Sequence, residues 1–439
     1  MSHSFDYLEA QRRIKAMGPD GILDLRGLDL QSLPGLPVGL KELYISFFHF
    51  SSLPDLPAGL QILHCHSTQL SSLPNLPDGL KELRISDSWN LRGLPDLPAE
   101  LQTLVCSRIQ LSSLPVLPAK LQTLDCHGNQ LTSLPVLPDG LKELYCQGNR
   151  LNSLPDLPTE LQRLDCGKNK LTSLPVLPAG LQRLYCYENE LTILLVLPAG
   201  LQRLDCGKNK LTSLPVLPAG LQILSCQENQ LTSLPVLPAG LKELYCNENK
   251  LTSLPVLPAG LSSISCKYNK LTVLPELPEP ESLEYLNFDN NPLVEPFKTF
   301  YNQYLDDQNL DDQNLDNPYL YDQNLDDERF RLSVLRESFI RKVNGYIAHK
   351  REQQELRQQG RALQMIPQLR LPKNIESKIA ATITGLEGRT NQQLLQLREK
   401  HAQNYKPNGA GGRRRIHRRK TKKTKRGVGK RRGSTRRTL

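Results

Sequence analysis

No stretch of this chain approaches the ~20 consecutive apolar residues that a membrane-spanning helix needs, and no N-terminal segment has the long apolar core of a secretory signal. A protein working in solution, not secreted through a signal peptide, is the expectation. No cysteine follows Cys266, so the C-terminal region holds no thiol nucleophile. No glycine-rich phosphate loop follows a strand, and no His-Glu-x-x-His pair occurs. These absences point away from an enzyme: no catalytic residue, cofactor or metal is assigned. Two further absences divide the charge. Residues 413–439 carry fifteen Lys or Arg and no acid, whereas nine acids between Asp306 and Glu328 meet no base. The formal net charge of +10 therefore belongs to a tail, and the rest of the chain is net acidic.

What is present is a repeat. LQTLDCHGNQLTSLPVLPDG at residues 121–140 recurs, lightly edited, at twenty-residue steps. Counting Leu121 as position 1, Leu stands at 1, 4, 11, 14 and 17, Cys at 6, Asn at 9 and Pro at 15 and 18. A coil of that length cannot bury its own leucines, so successive coils stack and their leucine columns merge into one core. Alternation at positions 4 and 6 predicts a short strand with one face inward. Asn129, Asn149, Asn169, Asn189, Asn209, Asn229, Asn249 and Asn269 carry amides able to bond backbone groups orphaned where the chain leaves the strand. In Ser-Leu-Pro-x-Leu-Pro the prolines fix φ and withhold donors, which suits an extended return and excludes a helix.

The spacing L-x-x-L-x-C-x-x-N-x-L followed by L-P-x-L-P resembles the bacterial effector type of leucine-rich repeat, as in YopM-like proteins and IpaH-like ubiquitin ligases. The resemblance runs from about Asp20 to Phe297. It implies a solenoid with short parallel strands on the concave face, a proline-rich convex side and a helical N-terminal cap. The ligase domain of the IpaH-like relatives needs a cysteine beyond the repeats, and none is there. Arg/Lys-rich ends on repeat arrays with low-complexity insertions also look like proteins of large DNA viruses.

Along the chain, residues 1–19 read as a cap, with Phe5, Leu8 and Ile14 on one side of a helix over Ser4–Met17. Residues 20–297 hold about fourteen repeats. Residues 298–328 begin with a cap helix carrying Phe300, Tyr301 and Tyr304, in phase with Phe297, and continue as an acidic, low-complexity linker that is mostly disordered. Residues 329–405 form a helical region, with Leu332, Leu335, Phe339, Val343 and Ile347 on one stripe of Arg331–Lys350 and further helices near Asn374–Leu386 and Leu394–Leu397. Residues 406–439 form a disordered basic tail. The early coils differ: Ile45 and Ile85 replace Cys, Phe47, Phe48 and Phe50 crowd one turn, and SDSWN at 86–90 holds an extra residue.

All ten cysteines occupy position 6 and are expected as buried, reduced thiols in an intracellular, reducing compartment. Disulfides between neighbouring parallel strands are the poorer alternative because the side chains lie in poor alignment for a bridge. His64 and His66 flank Cys65, and His127 follows Cys126, but alternation points cysteine inward and histidine outward.

Binding is the better case. Outward positions 3 and 5 carry Asp125, Tyr145, Arg163, Asp165, Arg183, Tyr185, Arg203, Asp205 and Tyr245, the expected contact surface for a protein partner. Arg163, Arg183 and Arg203 form one column, and acid alternates with tyrosine along the next. In the tail, Arg413, Arg414, Arg415, Arg418, Arg419, Lys420, Lys422, Lys423, Lys425 and Arg426 suit a nuclear address or the phosphates of a nucleic acid or other polyanion. The expected whole is a monomeric, non-enzymatic protein-interaction scaffold, or else a nucleic-acid-associated structural protein acting through its tail.

Overall fold

A computed structural model of the chain describes residues 2–46, 51–312 and 325–365. Helix α1 (Ser2–Lys15) leads into fourteen short strands, each after the first entered by the Leu at position 1 of a coil, with Asp20 in that place before the first. They are β1 (Ile22–Asp24), β2 (Glu42–Ser46), β3 (Ile62–His66), β4 (Glu82–Ser86), β5 (Thr103–Ser107), β6 (Thr123–Asp125) and β7 (Glu143–Tyr145). Then come β8 (Arg163–Asp165), β9 (Arg183–Tyr185), β10 (Arg203–Asp205), β11 (Ile223–Ser225), β12 (Glu243–Tyr245), β13 (Ser263–Ser265) and β14 (Tyr285–Asn287). All are parallel and pair in sequence order within one sheet. Register advances by one coil per strand, so Leu144, Leu164, Leu184 and Leu204 lie side by side.

The core is the merged leucine columns. Leucines at positions 1, 4 and 11 are fully buried in nearly every coil, each contributing about 1.5–3 kcal/mol. All ten cysteines are free and buried beside them. Burial in apolar surroundings pushes the thiols of Cys65, Cys126, Cys166 and Cys206 well above the ordinary range, which keeps them protonated and unreactive. Between strands, the Pro-containing returns form neither helix nor strand. Their polyproline-like period of three turns the leucines of positions 14 and 17 toward the core and leaves position 16 outside.

The asparagine column closes each turn. Asn149 Nδ2 donates to the carbonyls of Cys126 and Cys146, both at 3.0 Å, and its Oδ1 accepts the Leu131 N–H at 3.0 Å. The pattern repeats through Asn269 and is completed by Asn291. Position 8, just before it, is left-handed in coil after coil; glycine stands there at Gly128 and Gly148, but Lys168, Glu188, Lys208 and Glu228 adopt φ of 51–54°.

Both ends are covered, with differences from expectation. On α1, Phe5 and Leu8 face outward, and the packed stripe is Tyr7, Ala10 and Ile14, continued by Met17 just past the helix. Small Ala10 allows close approach to the first coil, where Arg13 also donates to the Asp24 carbonyl at 2.9 Å. At the other end, helix α2 (Phe297–Asp312) buries Phe297, Tyr301 and Tyr304. It runs on to Asp312, so the first part of the acidic segment is helical rather than an expanded linker.

Helix α3 (Leu325–Met365) is longer than the expected Arg331–Lys350, and its part up to Arg351 lies against the last coils. Phe339, Ile340 and Val343 are buried, Phe339 stacks on Tyr304 at 5.3 Å, and Asn344 bonds both the N–H and the carbonyl of Leu277. Residues 1–351 form one compact unit; of the second, Glu352–Leu439, the described part is the helix to Met365. Phe47, Phe48 and Phe50, the helices expected near 374–386 and 394–397, and the basic tail all lie outside the described residues.

Candidate interaction surface on the concave sheet

Positions 3 and 5 of each coil project from the open face of the sheet, while position 4 enters the core. Strand register therefore decides which outward side chains meet. Across β7–β10 position 3 reads Glu143, Arg163, Arg183, Arg203, and position 5 reads Tyr145, Asp165, Tyr185, Asp205. The Arg163 guanidinium lies 4.8 Å from the Tyr145 ring centre and 5.2 Å from that of Tyr185, and Arg203 lies 5.4 Å from Tyr185 on the other side. The two columns are thus one interlocked cluster. Cation–π contacts of this kind contribute about 0.5–1 kcal/mol each at exposed sites.

No carboxylate lies within 4.0 Å of Arg163, Arg183 or Arg203 among the described residues. Arg183 is exposed in the middle of the row, and the Nε donors of Arg163 and Arg203 are buried without a hydrogen-bond acceptor. Acids are present but sunk. Asp165, expected to face a partner, is only 9% exposed, and Asp205 is half-buried. The first cause is small: glycine at position 7. Gly167 and Gly207 let Tyr187 and Gln227 of the following coils lie flat across them, where a Cβ would sit 2.4 Å and 2.7 Å from the covering side chains. Each aspartate turns back to accept the N–H of that glycine, at 3.2 Å and 3.1 Å. Burial raises both carboxyls above their usual range, opposed by those N–H groups and by Arg163 and Arg203.

The other expected residues are more dispersed. Asp125, one strand beyond Tyr145, accepts from the His127 ring at 2.7 Å. Tyr245 stands on β12, separated from the cluster by Ile223 and Ser225, and donates to Glu243 at 3.2 Å. At the rim, Glu188 is shared by Lys168 and Lys208, both at 3.8 Å. His64 contacts Glu82 at 2.8 Å and His66 contacts Ser86 at 2.6 Å; no group of three His, Cys, Asp or Glu able to hold a metal occurs among the described residues.

Two features escape a reading of outward positions alone. Tyr187 covers the cluster from position 7, signalled only by the glycine that precedes it one coil earlier. Val116, Val136, Val176, Val196, Val216, Val236 and Val256 form a stripe, each 83–87% exposed, at position 16 of the returns. The signal was there: a three-residue period from the inward leucines puts that valine outside.

The stacked coils, one continuous leucine core and open parallel sheet define a leucine-rich-repeat interaction scaffold. Among solved structures the chain is similar to YopM, a leucine-rich effector protein from Yersinia pestis, at 33% identity with a TM-score of 0.58, over 65% of this chain and 88% of that one. It is also similar to YopM from Yersinia enterocolitica WA-314, at 32% identity with a TM-score of 0.52, over 65% of this chain and 78% of that one. No family model matches the chain, and no curated protein matches it. On these likenesses the chain belongs to the leucine-rich-repeat effector family of the YopM type.

Proposed function

We propose that the chain is a non-enzymatic scaffold which holds a protein partner on the concave sheet, centred on β7–β10, while residues 406–439 direct it to nuclei, nucleic acid or another polyanion. One observation carries the first half: three arginines stand in register on neighbouring strands, two braced by tyrosine rings, and none forms an ion pair with the chain's own acids among the described residues. Arginine and tyrosine are the residue types that dominate interface energies, and bracing removes part of the ordering cost of binding. Likeness to leucine-rich effectors supports action inside a host cell, and ten buried free thiols suit a reducing compartment.

The test is affinity capture from host lysate with the full chain against R163E/R183E/R203E, folding being checked by circular dichroism. The captured set should disappear with the triple variant; an unchanged set removes the concave-face assignment. Fifteen tail charges favour a second reading, a nucleic-acid-associated structural protein. Deleting residues 413–439 separates the two. The scaffold reading expects partner capture to survive and localisation to be lost, and the alternative expects salt-sensitive nucleic-acid binding to be the activity that vanishes.

A further inference from the structure

We propose that the arginine row on β8–β10 seats a carboxylate of an acidic, Asp/Glu-rich segment of the partner protein, with Arg183 as anchor. This deepens the concave-face reading and rests on it. Neighbouring strands lie ~4.8 Å apart, so the three arginine stems fall within about 10 Å. Arg163 and Arg203 are pinned against Tyr185 from opposite sides, which keeps them upright on either flank of exposed Arg183. Their Nε donors are buried and unsatisfied by the chain, so these two arginines contribute charge held on either flank, and exposed Arg183 supplies the donors. An exposed guanidinium between two such charges is a fork for oxygen anions.

Charge selects among the anions. On the three strands, positions 3 and 5 carry Arg163, Arg183 and Arg203 against Asp165 and Asp205, an excess of one positive charge. One carboxylate balances that excess; a phosphoryl dianion exceeds it and meets two aspartates beneath. The row is also short. Glu143 ends it on one side, and Ile223 followed by Glu243 ends it on the other, so a nucleic-acid backbone finds no continuing basic track. At the rim Lys168 and Lys208 share Glu188, and Lys208 also pairs with Glu228 at 3.6 Å, so the rim adds no net charge and the excess stays with the arginine row.

The experiment uses the full chain and fluorescein-labelled peptides in fluorescence anisotropy at about 0.15 M salt. The probes are an Asp/Glu-rich peptide, its Asn/Gln counterpart, its phosphoserine counterpart, and a peptide of this chain's residues 306–328. A photo-reactive copy of the first maps the contact by mass spectrometry. We expect the acidic peptide to bind at least tenfold tighter than the amide peptide and to cross-link within residues 161–210. R183E should weaken it about tenfold and R183K about threefold, because lysine keeps the charge and loses the fork. D165N/D205N should tighten it severalfold. The basic tail also attracts an acidic peptide, so the acid-against-amide difference is read from the cross-link yield within residues 161–210, and the variants, which share that tail with the wild type, are compared on the same peptide.

Equal affinity for acid and amide, or no loss in R183E, overturns the proposal. Tenfold preference for phosphoserine reassigns the row to a phosphoprotein and overturns the carboxylate. An Arg183-dependent preference for the 306–328 peptide makes this chain its own occupant and overturns a separate partner. In each case lysate capture that still depends on Arg163, Arg183 and Arg203 leaves the concave-face reading standing, so the two failures are distinguishable.

Discussion

The early coils and the middle coils share leucine spacing yet differ in how long their strands run. β2–β5 are five residues long, and β6–β13 are three. The change falls at one place: β5 pairs with β4 through five positions and with β6 through three, and that is where Asn129 begins the asparagine column. Thr68, Ser88 and Ile109 stand in the earlier coils at the equivalent turn position. Thr68 and Ser88 bond each other at 2.6 Å instead of reaching position-6 carbonyls, while the position-8 N–H donates to the next coil's position-7 carbonyl in both regions, Ser67 to Ser86 and Lys168 to Tyr187 alike. Where asparagine takes the carbonyl of the position-6 residue, the regular strand stops at position 5, although the N–H groups of positions 6 and 8 still donate to the next coil. One side chain per coil thus marks where the regular strand ends and the rim begins.

The strongest way to break this comparison is Asn189→Ala. It leaves the N–H of Leu171 without an acceptor in a buried turn and takes one of two side-chain donors from the carbonyls of Cys166 and Cys186, which keep Asn169 and Asn209, and should cost about 1–3 kcal/mol in urea unfolding. Thr68→Ala, which removes a hydroxyl pair, should cost about 1 kcal/mol. Equal losses at both sites would mean that the asparagine column has no special role. Gly167→Ala sharpens the contrast within the middle coils. Its methyl displaces the Tyr187 ring, so about 1–2 kcal/mol of stability and severalfold of partner affinity should be lost together, whereas Gly140→Ala, with its nearest neighbour at 3.9 Å, should be almost neutral.

At position 8 the backbone itself is the probe. Glu248 holds φ at 53°, so Glu248→Gly should stabilise by about 0.5–1 kcal/mol, and no gain would show that the left-handed turn carries no strain. The smallest effect is expected from Asp165→Asn, about a degree or two in Tm. Because burial raises this carboxyl, its ionisation opposes folding: wild type loses stability as pH climbs from the ordinary carboxylate range through the raised value. The asparagine variant escapes that loss, so it should be the more stable at neutral pH and indistinguishable below pH about 3.

Strict periodicity made the solenoid readable from sequence, because each leucine column and each inward thiol repeats at one phase. Register carried the site as well: stacking Arg163 on Arg183 and Arg203 needs only the twenty-residue step. What the period does not encode is contact between unlike positions. Asp165 belongs to an outward column, but its burial depends on Gly167 one step along and Tyr187 one coil away. The packed face of α1 is legible only in part: Ile14 lies on it as expected, but Phe5 and Leu8 do not, and small Ala10, whose size permits the close approach, carries no hydrophobic signal of its own. Length of α2 and α3 was hidden by composition: leucine every fifth residue and a run of acids mask helical phase.

The central claim is that recognition belongs to the middle coils and not to the whole concave sheet. Placing a photo-cross-linking side chain at position 5 of an early coil, in place of His64, and at the equivalent position of a middle coil, in place of Tyr145, puts the same probe on both regions of the full chain. Cross-linked partner from host lysate at position 145, and none at position 64, is the predicted result. Equal yield at both, or yield at position 64 alone, would contradict it.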